Sequence, residues 1–120
     1  MPVRSLRSYV LKWPDRDTVA RALRQWAEQT ARKRAELLRV GYFGSYARGD
    51  WGVGSDLDIV LVVDRAHEPF YRRAAAFDLH ALPVPAEALV YTLDEWNALL
   101  RSRTSRKGIP HEVVWVYPAQ

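Results

Sequence analysis

Apolar residues recur along this chain with two alternating periods, one near four residues and one near two. Val19, Leu23, Trp26, Ala27 and Thr30 share one face of a helix, and Arg16, Arg24, Gln25, Glu28 and Arg32 fill the opposite face. Pro14-Asp15 opens that helix, with Asp15 or Asp17 as N-cap, and the pattern carries it to about Glu36. Before it, Ser8 to Trp13 is short, aromatic and β-branched and stops at Pro14, which predicts a strand. After it, Leu38 to Phe43 reads as a strand, and Ser45 to Gly49 as one helical turn broken by Gly49, Gly52 and Gly54. Asp56 to Val63 is apolar on both faces apart from its aspartates, the pattern of a central strand covered on both sides. Two apolar runs joined through so tight a Gly-rich connection are expected to be neighbours in one sheet.

The second half continues the alternation. Glu68-Pro69 starts a helix with Phe70, Ala74 and Phe77 as its apolar stripe and Arg72 and Arg73 outside it. Leu82-Pro83-Val84-Pro85 breaks the chain, and Ala86 to Tyr91 forms a strand with Glu87, Leu89 and Tyr91 on one face. Thr92 caps the next helix, Glu95 completes a capping box, and Trp96, Leu99 and Leu100 give its apolar side. Arg101 to Gly108 is expected to be a mobile basic loop, and Val113 to Tyr117 a last strand ended by Pro118. Strands alternating with helices give an α/β or α+β class, a mixed β-sheet flanked by helices. Residues 1–120 read as a single domain without internal repeats.

Composition narrows the classes. No run of eighteen apolar residues suggests a membrane span, and the N-terminal residues lack the apolar core of a signal peptide, so the expected compartment is the cytoplasm. The chain has no cysteine, which excludes disulfides and thiolate chemistry. The net charge of +4 conceals segregation. Residues 1–48 carry eleven Lys/Arg against four Asp/Glu, residues 49–95 three against nine, and residues 96–120 four against one. The basic blocks, Arg101 to Lys107 included, suit either a polyanion or a solvated helix face.

The acidic block holds the candidate chemistry. Side chains alternate across a strand, so Asp56 and Asp58 project from the same face. A hard divalent ion such as Mg²⁺ is the natural occupant between them. Gly44-Ser45 sits where a strand gives way to a helical turn, where free amides and a small hydroxyl can hold phosphate oxygens. The glycine spacing is not that of a dinucleotide fingerprint, and no Lys-Ser/Thr follows to make a Walker A loop. A phosphate-holding turn beside an Asp-x-Asp metal site is the layout that phosphoryl or nucleotidyl transfer needs.

Gly44-Ser45, ten residues, then Asp56-Leu57-Asp58-Ile59 resembles the signature of the DNA polymerase beta-like nucleotidyltransferase superfamily. The wider text, Gly44-Ser45-Tyr46-Ala47-Arg48-Gly49 to Ser55-Asp56-Leu57-Asp58, is similar to its minimal nucleotidyltransferases, and the resemblance runs from about Ser8 to Tyr117. It implies the polymerase beta-like fold, an NTP substrate (ATP first), and two Mg²⁺ ions. It also implies a third carboxylate on a neighbouring strand, which maps to Glu87, with Asp78 as rival. Related chains carry Asp in that strand, so Glu87 departs by one methylene. The resemblance further implies a HEPN-type helical partner, an RNase toxin neutralised by binding or by AMP transfer to a tyrosine. Self-association or an RNA acceptor are the other expectations.

Each residue also has a purely structural reading. Asp56 and Asp58 could be a polar pair opening a strand, Ser45 a cap, and Glu87 a polar residue on an edge strand. Arg48 could contact phosphate or pair with Asp50. Ser55 could touch the nucleotide or brace the Asp-x-Asp loop. His67, His80 and His111 lack ligand spacing for zinc. Trp51 could pack in the core or stack on a base.

Overall fold

The structure is a computed structural model, and it describes residues 13–102 and 108–119. The strand expected at Ser8 to Trp13 falls outside the described residues except for Trp13, and so do residues 103–107 of the basic loop. Helix α1 spans Arg16–Lys33. Asp15 is its N-cap and accepts from the Thr18 amide at 2.8 Å, which holds the Asp15 carboxyl below its usual range. The helix stops at Lys33, short of Glu36, because Arg34 turns to extended backbone. Arg34 then reaches Glu36 at 2.9 Å, and the Leu37 amide bonds back to the Arg34 carbonyl.

Strand β1 spans Leu37–Phe43, the one-turn helix α2 Ser45–Arg48, and strand β2 Leu57–Val63. Helix α3 covers Phe70–Arg73, strand β3 Ala86–Thr92, and helix α4 Leu93–Arg101. Helix α5 covers Ile109–Glu112 and strand β4 Val114–Tyr117. The strands form one four-stranded sheet in the order β3-β2-β1-β4. β1 runs antiparallel to β2 and to β4, while β2 and β3 are parallel, so the sheet is mixed and the class is α+β. β1 and β2 are neighbours, as their linker requires.

β2 is central and almost wholly buried, which matches its two apolar faces. Leu57, Ile59, Leu61 and Val63 pack toward Val19, Leu23 and Trp26 of α1 and toward Phe77, Leu82 and Val84. Val60 and Val62 pack on the other face against Trp96 of α4, with Phe43, Tyr91 and Trp115 around them. Asp58 shares this second face by alternation, at the end where β2 begins. Among the described residues no helix is long and apolar enough to cross a membrane.

Three local expectations are corrected. The helix after Pro69 makes one turn and tightens into a 3₁₀ turn at Ala74–Ala76. Phe77 is then extended and packs on Trp26 with ring centroids 6.3 Å apart, so it belongs to the core through a loop. Arg73, expected outside the apolar stripe, is buried, because every edge of its guanidinium finds an acceptor. Nε donates to the Glu68 carbonyl at 3.0 Å and Nη1 to the Val90 carbonyl at 3.1 Å. Glu95 takes Nη1 at 2.5 Å and Nη2 at 3.2 Å. The other unforeseen element is α5, with Pro110 in its first turn, which moves the start of the last strand to Val114.

Candidate active site

Three chain segments meet where β1 ends and β2 and β3 begin. Phe43, the last residue of β1, stands opposite Asp58, and Asp58 stands opposite Glu87 of β3. Partners across a sheet share a face, so Asp58 and Glu87 project to the same side. The Leu57 amide donates to the Pro85 carbonyl at 2.8 Å, tying the two strand starts together. Asp56 is exposed just ahead of β2. The sequence-predicted acids Asp56, Asp58 and Glu87 are therefore brought to one edge.

The charges there act on each other. Burial, then Glu87, then Asp56, push the Asp58 carboxyl above its usual range. Arg48 pulls in the opposite direction and Glu112 adds to the rise. The rival acid Asp78 lies elsewhere, in the loop before β3. Its carboxylate accepts from the His80 amide and ring at 3.0 Å, which holds its carboxyl low. Its carbonyl accepts from Trp26 Nε1 at 2.7 Å.

Gly44 joins β1 to α2 with φ +75°, a region that disfavours residues with a Cβ. A Cβ at Gly44 would overlap Asp58 Oδ2, so the absent side chain is the space the carboxylate occupies. Gly44 is also the N-cap of α2, so the Ser45 hydroxyl is not that helix's cap. The Ala47 and Arg48 amides bond back to the Gly44 carbonyl at 3.0 Å. Those of Ser45 and Tyr46 come too early in the turn to find a carbonyl within it.

Arg48 meets Asp50 through Nε at 3.2 Å, as one reading had it, and meets Glu112 of α5 through Nη1 at 2.7 Å. Ser55 takes its bracing role: its hydroxyl accepts from the Gly52 amide at 2.8 Å. Trp51 stacks on buried Tyr46 at 5.4 Å and 7°. Glu112 is the residue that the sequence reading missed. Its one signal was that it is the only acid in residues 96–120.

The carboxylates stand on an open shelf. A cavity of about 480 Å³ lies at the other end of β2, against Val63, Arg73 and Phe77. Among the described residues no three carboxylate or imidazole groups converge into a metal cage on their own. The donors are nevertheless hard oxygens, and Mg²⁺ is commonly held by one or two carboxylates plus substrate phosphates. The shelf fits an ion that arrives with a triphosphate, with Asp56, Asp58 and Glu87 as the residues able to hold it.

Comparison with known proteins gives the same direction. The family described as nucleotidyltransferase domain matches residues 23–111. A provisionally assigned nucleotidyltransferase of Sulfolobus solfataricus, known from a 1.40 Å crystal structure, is similar in fold. The two share a TM-score of 0.60 and 21% identity over 83% of this chain and 80% of that one. No curated protein matches the chain.

Proposed function

The chain belongs to the nucleotidyltransferase domain family, and we propose on that premise that it moves a nucleoside monophosphate from an NTP, ATP first among them, to a hydroxyl acceptor. The observation that carries the reading is the register of Asp58 opposite Glu87 with Gly44 closed against Asp58. A backbone turn able to hold phosphate and a pair of carboxylates lie in contact, which is what in-line transfer at phosphorus needs.

Asp56, Asp58 and Glu87 would hold one or two Mg²⁺ ions, which supply charge neutralisation for the triphosphate and for the entering and leaving oxygens. Gly44 lets the backbone approach the β- and γ-phosphates, and Ser45 offers a hydroxyl beside its own amide. Glu87 takes the proton of the acceptor hydroxyl. The acceptor oxygen then bonds to the α-phosphorus, the bond from that phosphorus to the β-phosphate oxygen breaks, and pyrophosphate leaves.

The acceptor comes from outside the described fold. A tyrosine of a HEPN-type helical protein in the cytoplasm is the reading we favour, with an RNA end or a second copy as alternatives. The second reading is an antitoxin-like module that neutralises such an RNase by binding alone, and the observation behind it is Glu87, which stands where related chains carry Asp. ATP labelled at the α- or at the γ-phosphate separates the two. Transfer of α-label to a partner protein, with pyrophosphate released, supports nucleotidyl transfer. Inhibition of the partner with no label moved supports the module, and transfer of γ-label would overturn both.

A further inference from the structure

We infer that Glu112 is a positioning residue: it locks Arg48 as a strut between the turn after β1 and the segment before β4, and so fixes the Gly44–Ser45 amides against Asp58. The inference rests on the nucleotide site proposed above. Arg48 ends α2, a helix of one turn. The start of that turn is anchored, since Tyr46 is fully buried and accepts from Trp13 Nε1 at 3.2 Å. Its far side is exposed. Gly49 follows with φ +87°, and among the described residues beyond its chain neighbours no atom lies within 4 Å of where a Cβ would stand at Gly49 or Gly52.

The side-chain link that carries this far side onto another element is Arg48 Nη1 to Glu112 at 2.7 Å, across 64 positions of sequence. Glu112 in turn is placed by β4, whose Val114 pairs with Tyr42 of β1. The strut therefore joins the turn that follows β1 to the segment that leads into its partner strand β4. Two edges of the guanidinium are occupied, by Asp50 at Nε and Glu112 at Nη1, so Arg48 serves the turn's position more than it serves phosphate. The pairing also keeps the Glu112 charge compensated.

The test is a double-mutant cycle on the full chain, with Arg48→Met, Glu112→Gln and the pair. Dissociation constants of Mg²⁺ with a non-hydrolysable ATP analogue are read by calorimetry, and thermal midpoints check the fold. Each single change should weaken binding by about three- to fivefold, the scale of one partly exposed ion pair. The double variant should be no worse than the weaker single one. Multiplying losses would overturn the strut, and so would a loss confined to Arg48→Met, the mark of a direct phosphate ligand. Hydrogen exchange of the Ala47, Arg48 and Gly49 amides reads the same cycle without nucleotide. Both single changes should speed it equally, and unchanged exchange would also overturn the strut. A wild-type chain that binds no nucleotide yet shows the exchange coupling would sink the proposed function and leave the strut standing.

Discussion

Asp58 on the central strand and Glu87 on the edge strand face each other in parallel register, one residue in from the start of β3. Asp58 is half-buried there, with Asp56 close enough to add its charge. The fold thus concentrates negative charge at one strand edge, with Arg48 only partly offsetting it. Without divalent ions this is a net cost to stability, since like charges opposite each other on a sheet destabilise it.

Replacing Asp58 by Asn should therefore raise the thermal midpoint of the metal-free protein. The same variant should lose the extra stability that Mg²⁺ with ATP confers on the wild type, which follows mass action on the folded state. Transfer should fall by more than the ~100-fold that loss of an outer-shell partner costs. A lower midpoint without metal would contradict the electrostatic reading of the pair.

Gly44→Ala places a methyl group where the Asp58 carboxylate lies and puts a Cβ at φ +75°. We expect a loss of about 2 kcal/mol in urea unfolding from backbone strain. We also expect about a 100-fold loss in transfer, because the phosphate turn and the acid are pushed apart by about an ångström. Gly52→Ala is the control. Among the described residues beyond its chain neighbours nothing lies within 4 Å of a Cβ there, and its stability should change by less than about 0.5 kcal/mol.

Glu95 gives a pH dependence. The Arg73 hydrogen bonds come first, and with the Thr92 amide they hold the Glu95 carboxyl below its usual range. A depressed folded pKa means stability that is fully present above the unfolded value and lost as pH falls through the folded one. Glu95→Gln should cost about 1 kcal/mol at pH 7, a figure kept small because the Glu95 side chain is 44% exposed. The difference from wild type should vanish below the ordinary glutamate range. A gap that stays constant down to acid pH would assign the cost to the capping box alone.

Much of this was legible in the sequence, and the reasons are local. The Asp15 cap, the Thr92–Glu95 capping box and the two-faced apolar run of β2 depend on neighbours within a few residues. Gly44-Ser45 and Asp56-x-Asp58 were legible because a fixed spacing carries them. What the sequence hid was long-range pairing. Nothing near Arg73 announces Glu95, 22 positions on, or the Val90 carbonyl that lets the guanidinium be buried. Glu112 reaches Arg48 only after α5, a turn too short to show a period. The place of Glu87 depended on the register of β2 against β3, which the packing of Val60, Val62 and Trp96 and of Ile59 and Leu61 sets from both faces.

The central claim is that Asp58, Glu87 and the Gly44 turn form one nucleotidyl-transfer site. The most direct measurement compares α-label transfer from ATP by the wild type, Glu87→Gln and Asp78→Asn, each mixed with the partner protein and Mg²⁺. The account predicts that Asp78→Asn keeps wild-type transfer and that Glu87→Gln loses about 100-fold or more with its fold intact. Full activity in Glu87→Gln together with its loss in Asp78→Asn would contradict it.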